Sequence, residues 1–267
     1  MNPSILVKLI TDAYKNRKGV FSTLVNAENH IPQDATKKEK ALFLFYIIQL
    51  DYAMKSQILY EGAKKLWKKD KNYFKPEEII KKSDEMLKNV MKMYLKPRYI
   101  NEALLRWKSN SEKILNKYNG NPIKLFEMSK NAKELEKNVR EFRGFGPKIG
   151  NFFIRTMINT FNFEVEGIED LYQPVDVHDV RLTYEWGLIN SELIDHNSKL
   201  TSQKVIKEVQ RIWQEACKET KVSWLIFDRA LWILGSEGKR SDDPVRDLSE
   251  NLDIPYRKLQ KLINHSE

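Results

Sequence analysis

Apolar residues recur at helical spacing along nearly the whole chain, and no segment alternates apolar and polar residues as a half-buried strand does. The most apolar segment, residues 41–50, predicts a helix at the centre of a core. The same pattern continues through residues 58–67. The sequence therefore predicts an all-α protein.

Glycine, proline and asparagine mark the ends of the predicted helices. The clearest breaks are residues 119–122 and 143–147, and residues 162–174 form a longer irregular stretch. Residues 239–267 open with a polar segment and continue with a faint helix-turn-helix rhythm, which favours a terminal helical pair packed on the body. The helices predicted after residue 100 span 101–118, 123–128, 132–142, 148–161, 175–188, 202–220 and 223–235.

Composition narrows the class of protein. The chain has 267 residues of which 41% are apolar, enough to form a packed core, and this excludes a disordered chain. Cys217 is the only cysteine, which excludes a disulfide framework and any zinc or iron–sulfur site built from four cysteines. No apolar run approaches the roughly 18 residues of a membrane helix, and residues 1–18 lack the pattern of a signal peptide. We therefore expect a cytoplasmic protein.

The hairpin Gly144-Phe145-Gly146-Pro147-Lys148 is the motif that says most about chemistry. A Gly-x-Gly turn lets a phosphate approach the backbone without a Cβ in the way, and proline suits the first position of the next helix. The N–H groups and the positive dipole end of that helix then form an anion site. By itself the pentapeptide fits an ordinary corner between two helices equally well. The net charge of +9 agrees with a polyanionic partner, although many basic proteins bind no nucleic acid.

A second segment, Pro174-Val175-Asp176-Val177-His178, follows the hairpin, and its Asp176 lies 28 residues after Lys148. With both segments, residues 142–188 resemble the helix-hairpin-helix family of base-excision DNA glycosylases, whose hallmark is a Gly-x-Gly hairpin followed by a Val-Asp-x-His segment. The likeness continues more loosely to Gly235 and rests on helical character alone over the first 100 residues. The long spacing between Lys148 and Asp176 most resembles the archaeal 8-oxoguanine glycosylases. The single cysteine departs from the branch of the family that carries an iron–sulfur cluster.

This resemblance implies roles for particular residues. A lysine at the position of Lys148 marks family members that act as both glycosylase and lyase, so Lys148 is the expected nucleophile and Asp176 the expected catalytic carboxylate. Phe152, Asp228 and Trp232 match residues that contact the flipped base. The residues expected to bind DNA phosphate are Gly144, Phe145, Gly146 and Lys148, and those expected to support the site are His178 and Arg181.

The chemistry explains why these residue types are needed. Breaking an N-glycosidic bond builds positive charge on the sugar, which a carboxylate stabilises in a site shielded from water. A neutral lysine amine can displace the base and leave a Schiff base. A base that leaves the stack needs an apolar or aromatic slot. Each residue also has a structural interpretation: a helix cap for Asp176, a solvated side chain for Lys148, core packing for the rings and a salt bridge for Asp228.

The resemblance also implies an organisation in two helical lobes with a DNA-binding cleft between them. One lobe would span residues 60–170 and end in the hairpin region 142–154, and the other would join residues 1–59 to residues 171–267. We expect catalysis to need no cofactor and no metal, and we expect no iron–sulfur cluster. Whether the hairpin binds a monovalent cation is left open by the sequence. We expect a monomer that binds double-stranded DNA containing a damaged base, binds no membrane, and is associated with the nucleoid.

Three functions remain open from the sequence. The first is a bifunctional glycosylase and lyase with 8-oxoguanine as its lesion. The second is a glycosylase for oxidised pyrimidines or alkylated bases that shares Lys148 and Asp176 but has another pocket. The third is a non-catalytic helix-hairpin-helix module that binds DNA for a partner, which would need neither of these two residues.

Overall fold

The computed structural model describes residues 1–23, 26–52, 54–190 and 202–264. Every regular element in these ranges is helical, which confirms the predicted all-α fold class. The chain divides into two compact units, which we call unit 1 (Met1–Leu24 with Tyr172–Glu267) and unit 2 (Val25–Leu171). Across the described ranges, no helix has both the length and the apolar content needed to cross a bilayer.

Unit 2 is built around α2, in which residues 41–48 are all buried. Thr36 and Glu39 form a capping box at its start, so local sequence fixes where this apolar helix begins. The helices of unit 2 are α2 (Lys37–Ile48), α3 (Ser56–Lys69), α4 (Pro76–Ile79), α5 (Asp84–Val90), α6 (Ile100–Tyr118), α7 (Ile123–Met128), α8 (Ala132–Arg140) and α9 (Pro147–Phe161).

Aromatic packing joins α2 to the hairpin that precedes α9. The ring of Phe45 stacks on that of Phe145 with centroids 5.4 Å apart, and it meets Phe153 edge-on at 5.9 Å. This packing places α2 in the same unit as the hairpin. The lobe boundary predicted after residue 59 differs from this division, because helical character alone does not show which helices pack together.

The apolar pattern of α2 does not continue unbroken into α3. The chain leaves the helix after Ile48 and re-enters one at Ser56. Asp51 holds this connection, because its carboxylate accepts hydrogen bonds from the hydroxyls of Ser56 (2.8 Å) and Tyr60. Neither glycine nor proline marks the break in the sequence.

Unit 1 brings the N-terminal helix together with the C-terminal part of the chain. Helix α1 packs on α11 and α12, and the buried indole of Trp213 donates to the Thr183 hydroxyl at 2.9 Å, tying α11 to α10. The terminal helical pair predicted from the sequence is present as α13 and α14. The helices of unit 1 are α1 (Pro3–Lys15), α10 (Val177–Glu185), α11 (Gln203–Thr220), α12 (Trp224–Glu237), α13 (Pro244–Leu252) and α14 (Tyr256–Asn264).

Candidate active site

Side chains of α6 hold the backbone of the hairpin. The Asn110 amide donates to the carbonyl of Arg143 at 2.9 Å and accepts from its N–H at 2.8 Å. Gly144 follows with φ +88°, and a Cβ added there would lie 2.8 Å from the side chain of Arg106. The positive φ therefore requires glycine at this first position of the hairpin, and a larger residue would also displace the end of the Arg106 side chain.

The second glycine is different. Gly146 has an ordinary φ of −70°, and in the described structure no atom comes within 4 Å of a Cβ built on it. Neither backbone strain nor packing within the chain explains a glycine at this position. Space left on the outer side of a helix N-terminus is what an approaching phosphate requires.

Phe145, between the two glycines, anchors the hairpin in the core. Its ring is buried, and its N–H donates to the Phe142 carbonyl at 3.1 Å. The structure thus places this side chain on the inner side of the turn. Its role is to fix the turn that leads into Gly146 and Lys148.

An ion pair lies beside the hairpin. The Arg143 guanidinium donates to both carboxylate oxygens of Glu102, at 3.0 and 2.8 Å. The hydrogen bond from Arg143 lowers the pKa of the Glu102 carboxyl to about 2, against the desolvation that raises it, and Arg106 adds to the lowering. Glu102 therefore carries its charge at neutral pH and orients Arg143.

Lys148 is the second residue of α9, after Pro147, and its side chain is exposed. Phe152, one turn further on, is half-buried, and the guanidinium of the buried Arg155 lies 4.8 Å from the centroid of its ring. A cavity of about 520 Å³ opens on the α6 side of the hairpin, lined by residues 109–110, Lys113 and residues 140–146.

Asp176 is the N-cap of α10, as its position in the sequence predicts. Its Oδ1 accepts from the backbone N–H of His178 at 2.7 Å and of Asp179 at 3.4 Å. The Asp179 carboxylate in turn accepts from the Asp176 N–H at 2.7 Å, which completes a capping box. The Asp-x-x-Asp spacing was a visible signal of this box, and Asp179 was not among the predicted site residues.

His178 and Arg181 lie in the first two turns of α10, and both contact α12. His178 Nδ1 lies 3.0 Å from the Gly235 carbonyl oxygen, which also accepts from the Arg181 guanidinium at 3.1 Å. The Arg240 guanidinium also donates to this oxygen. These contacts tie the start of α10 to the last turn of α12.

Helix α12 carries the two other predicted pocket residues. Asp228 is buried and Trp232, one turn later, is half-buried. Burial raises the pKa of the Cys217 thiol to about 12, and the nearby charge of Asp228 adds to the rise. The predicted site residues thus fall into two groups. Gly144, Phe145, Gly146, Lys148 and Phe152 lie in unit 2, and Asp176, His178, Arg181, Asp228 and Trp232 lie on two adjoining helices of unit 1. Among the residues that the structure describes, no three His, Cys, Asp or Glu side chains gather where they could hold a metal ion.

Comparison with known families decides the assignment. The model of the AGOG family, described as N-glycosylase/DNA lyase, matches residues 35–264. The chain belongs to this family. AGOG enzymes are archaeal 8-oxoguanine glycosylases, so this N-glycosylase/DNA lyase acts on DNA and repairs 8-oxoguanine. No curated protein matches the chain.

Membership in the AGOG family decides among the three functions left open by the sequence. A bifunctional enzyme for 8-oxoguanine is confirmed, and the non-catalytic DNA-binding module is excluded. The match also covers residues 35–100, where the sequence showed only helical character.

Proposed function

We propose that Lys148 is the nucleophile of this glycosylase and lyase, and that Asp176 stabilises the charge that develops on the sugar. The observation that carries the proposal is an exposed lysine in the first turn of α9, directly after the hairpin. A cation at the positive end of a helix is unfavourable by roughly 0.3–1 kcal/mol, so helix stability does not explain this lysine. A neighbouring DNA phosphate and a reaction that needs an amine do explain it.

The chemistry of Lys148 is nucleophilic substitution followed by elimination. The neutral Nζ forms a bond to C1′ of the nucleotide while the bond from C1′ to the base breaks, and the base leaves with the electron pair and takes up a proton. Opening of the sugar ring gives a protonated Schiff base. Loss of a proton from C2′ then expels the 3′ phosphate and cuts the strand. Because Lys148 is exposed, the bound DNA itself supplies the exclusion of water that the reaction needs.

Asp176 acts on the sugar. Its Oδ1 is fixed by two N–H groups of α10, which hold the carboxylate in one orientation. An oriented carboxylate stabilises the positive charge that builds at C1′ without reorganising during the reaction. Capping and catalysis are compatible, since both need a carboxylate held at this helix end.

The extruded base is received by two kinds of group. The half-buried rings of Phe152 and Trp232 offer aromatic faces for stacking. Asp228, buried on α12, offers an acceptor for an N–H group on the edge of a purine. In this proposal Phe152 and Trp232 set affinity for a flat base, and Asp228 sets the choice among bases.

The hairpin grips the DNA backbone. The open space at Gly146 admits a phosphate to the N-terminus of α9, and the basic side chains of Lys113, Arg140 and Arg143 line the adjoining cavity. Such contacts fix the position of the duplex without reading its sequence. We further propose that the enzyme binds double-stranded DNA as a monomer in the cytoplasm, associated with the nucleoid, needs no cofactor for catalysis, and can hold a monovalent cation on the hairpin.

Borohydride trapping tests the nucleophile. Incubating the wild-type enzyme with a duplex containing 8-oxoguanine in the presence of borohydride reduces the Schiff base and should give a covalent protein–DNA adduct. Lys148→Gln should give no adduct while binding the same duplex. Lys137→Gln is the matched control, since Lys137 is an exposed lysine on the helix before the hairpin and should not affect trapping.

Two results would overturn this assignment. An adduct formed by Lys148→Gln would place the nucleophile at another residue. A wild-type enzyme that excises 8-oxoguanine without any trappable adduct would exclude an amine nucleophile altogether. Peptide mapping of the wild-type adduct gives the same answer independently, because the modified peptide must contain Lys148.

A further inference from the structure

We propose that Arg240 is a positioning residue, which together with Gly235 locks α12 against the start of α10. The proposal rests on the function proposed above, in which α10 presents Asp176 to the sugar and α12 presents Asp228 and Trp232 to the base. Arg240 lies outside both groups, in the segment between α12 and α13. Its effect on the reaction passes through the relative position of these two helices.

Three side chains converge on one backbone oxygen in the last turn of α12. The Gly235 carbonyl accepts from the guanidinium of Arg240 and, at 3.1 Å, from that of Arg181. The imidazole Nδ1 of His178 lies 3.0 Å from the same oxygen and 2.9 Å from the Arg181 guanidinium. A carbonyl near a helix C-terminus carries partial negative charge and is suited to cationic donors.

The two helices also meet here without spare space. A Cβ added to Gly235 would lie 2.9 Å from the Cβ of His178 and 3.4 Å from its carbonyl carbon. Glycine therefore permits the close approach, and the donors from both sides of the carbonyl fix it. This contact lies one turn beyond Trp232 on α12 and two residues after Asp176 on α10.

Bringing the charged Arg240 guanidinium into this partly buried place beside Arg181 is electrostatically unfavourable. Burial, and next the charge of Arg181, lower the pKa of the Arg240 guanidinium, while Glu185 and Asp247 act in the other direction. Arg181 itself has a distant ion pair with Glu185, at 3.9 Å. Two guanidinium groups are thus brought to one acceptor although they repel each other, as expected when the position of that acceptor matters.

The two activities of the enzyme depend differently on this contact. Excision of 8-oxoguanine needs the base to lie against α12 while the sugar faces Asp176. The relative position of α10 and α12 must therefore be correct. Strand cleavage at a preformed abasic site involves no base and therefore does not need α12 in place. Displacing α12 should reduce base excision selectively.

The test compares these two activities in Arg240→Gln. With enzyme in excess over DNA, we expect the rate of 8-oxoguanine excision to fall at least about ten-fold, as for other small displacements of reacting groups. Cleavage of a duplex carrying a preformed abasic site should stay within about two-fold of the wild-type rate. Arg246→Gln, an exposed arginine on the following helix, is the control and should leave both rates unchanged. Arg240→Lys keeps one charged donor for the Gly235 carbonyl and should recover most of the excision rate.

A second variant guards against loss of folding in the first. Gly235→Ala changes no charge, yet its methyl group must displace His178, so it should give the same selective loss of excision. The proposal fails if excision and abasic-site cleavage fall by the same factor, which would indicate a general loss of structure. It also fails if the Arg240→Gln defect is a weaker DNA affinity with a smaller salt dependence, because Arg240 would then bind a phosphate. Neither outcome touches the nucleophile, which the trapping of Lys148→Gln decides separately.

Discussion

The N-termini of α9 and α10 are built in opposite ways. Helix α9 follows Gly146 and Pro147, and over the described residues its first turn has neither a side-chain cap nor an acidic residue. Helix α10 starts at Asp176, which takes two N–H groups of its own helix and forms a capping box with Asp179. Both ends attract negative charge, but α9 leaves room for an anion from outside and α10 supplies its own.

This difference separates binding from chemistry. A phosphate of the DNA backbone must come and go, and the site proposed for it consists of backbone groups and the open space around Gly146. A carboxylate that faces a developing charge must stay in place, and the N–H groups of His178 and Asp179 hold Asp176. In the proposed function, the same helix-end physics serves a transient ligand in unit 2 and a fixed catalytic group in unit 1.

The largest expected effect comes from Asp176→Asn. Asparagine caps a helix as well as aspartate does, so the melting temperature should change little. The rate of 8-oxoguanine excision, measured with enzyme in excess, should fall by about 10²–10³ because the negative charge facing the sugar is lost. Asp176→Ala should lose both the charge and the cap, and so should also lower the free energy of unfolding by about 1 kcal/mol.

If Asp176→Asn excised 8-oxoguanine at the wild-type rate, the proposed difference in function between the two helix ends would be wrong. Asp176 would then be a cap only, and the carboxylate of the reaction would have to be sought elsewhere. Asp176→Ala separates the two roles. If Asp176 were only a helix cap, Asp176→Ala would lower both stability and the excision rate, and Asp176→Asn would lower neither.

The next effect, about ten-fold in DNA affinity, is expected from Gly146→Ala. Its φ of −70° suits alanine and its Cβ position is open, so the free energy of unfolding should change by less than about 1 kcal/mol. The added methyl group should obstruct the phosphate, which titration of a labelled duplex at several salt concentrations measures. Gly144→Ala is the matched comparison: at φ +88° it should destabilise the fold by roughly 1–3 kcal/mol. Unchanged DNA affinity in Gly146→Ala would contradict an anion site at α9.

Local signals in the sequence predicted the helices around the hairpin well. The predicted helix 148–161 is observed as Pro147–Phe161, and the predicted helix 123–128 is observed as Ile123–Met128. Both start next to a proline, a signal that acts within a few residues. The break between α2 and α3 escaped prediction because it depends on hydroxyl groups that reach back to Asp51, with no glycine or proline to mark it.

Contacts between distant segments could not be predicted in the same way. The approach of His178 to Gly235 joins residues 57 positions apart, and the Asn110 bonds to the hairpin backbone join residues 33 apart. Nothing in the spacing of either pair marks it in a single sequence. The residues proposed to do chemistry lie in local motifs, whereas the residues that hold them are fixed by packing between distant segments.

The smallest expected effect concerns the ion pair between Glu102 and Arg143. The folded-state pKa of Glu102 is about 2, below its ordinary 4.5, so the folded state binds fewer protons and the pair stabilises the fold above about pH 4.5. This contribution is lost as the pH falls from 4.5 to about 2. Both side chains are partly exposed, so Glu102→Gln should cost less than about 1 kcal/mol at neutral pH and nothing near pH 2. Urea unfolding of wild type and variant at several pH values measures the difference.

The same variant shows what holds the hairpin for DNA. Asn110 bonds directly to the backbone of Arg143, whereas Glu102 bonds only to its side chain. If the backbone bonds set the geometry of the loop, Glu102→Gln should bind DNA within about two-fold of wild type, and Asn110→Ala should weaken binding as strongly as Gly146→Ala. An equal loss of affinity in Glu102→Gln would instead mean that the orientation of the Arg143 side chain governs phosphate binding. The anion site at α9 would then depend on a side chain, as the N-terminus of α10 depends on Asp176.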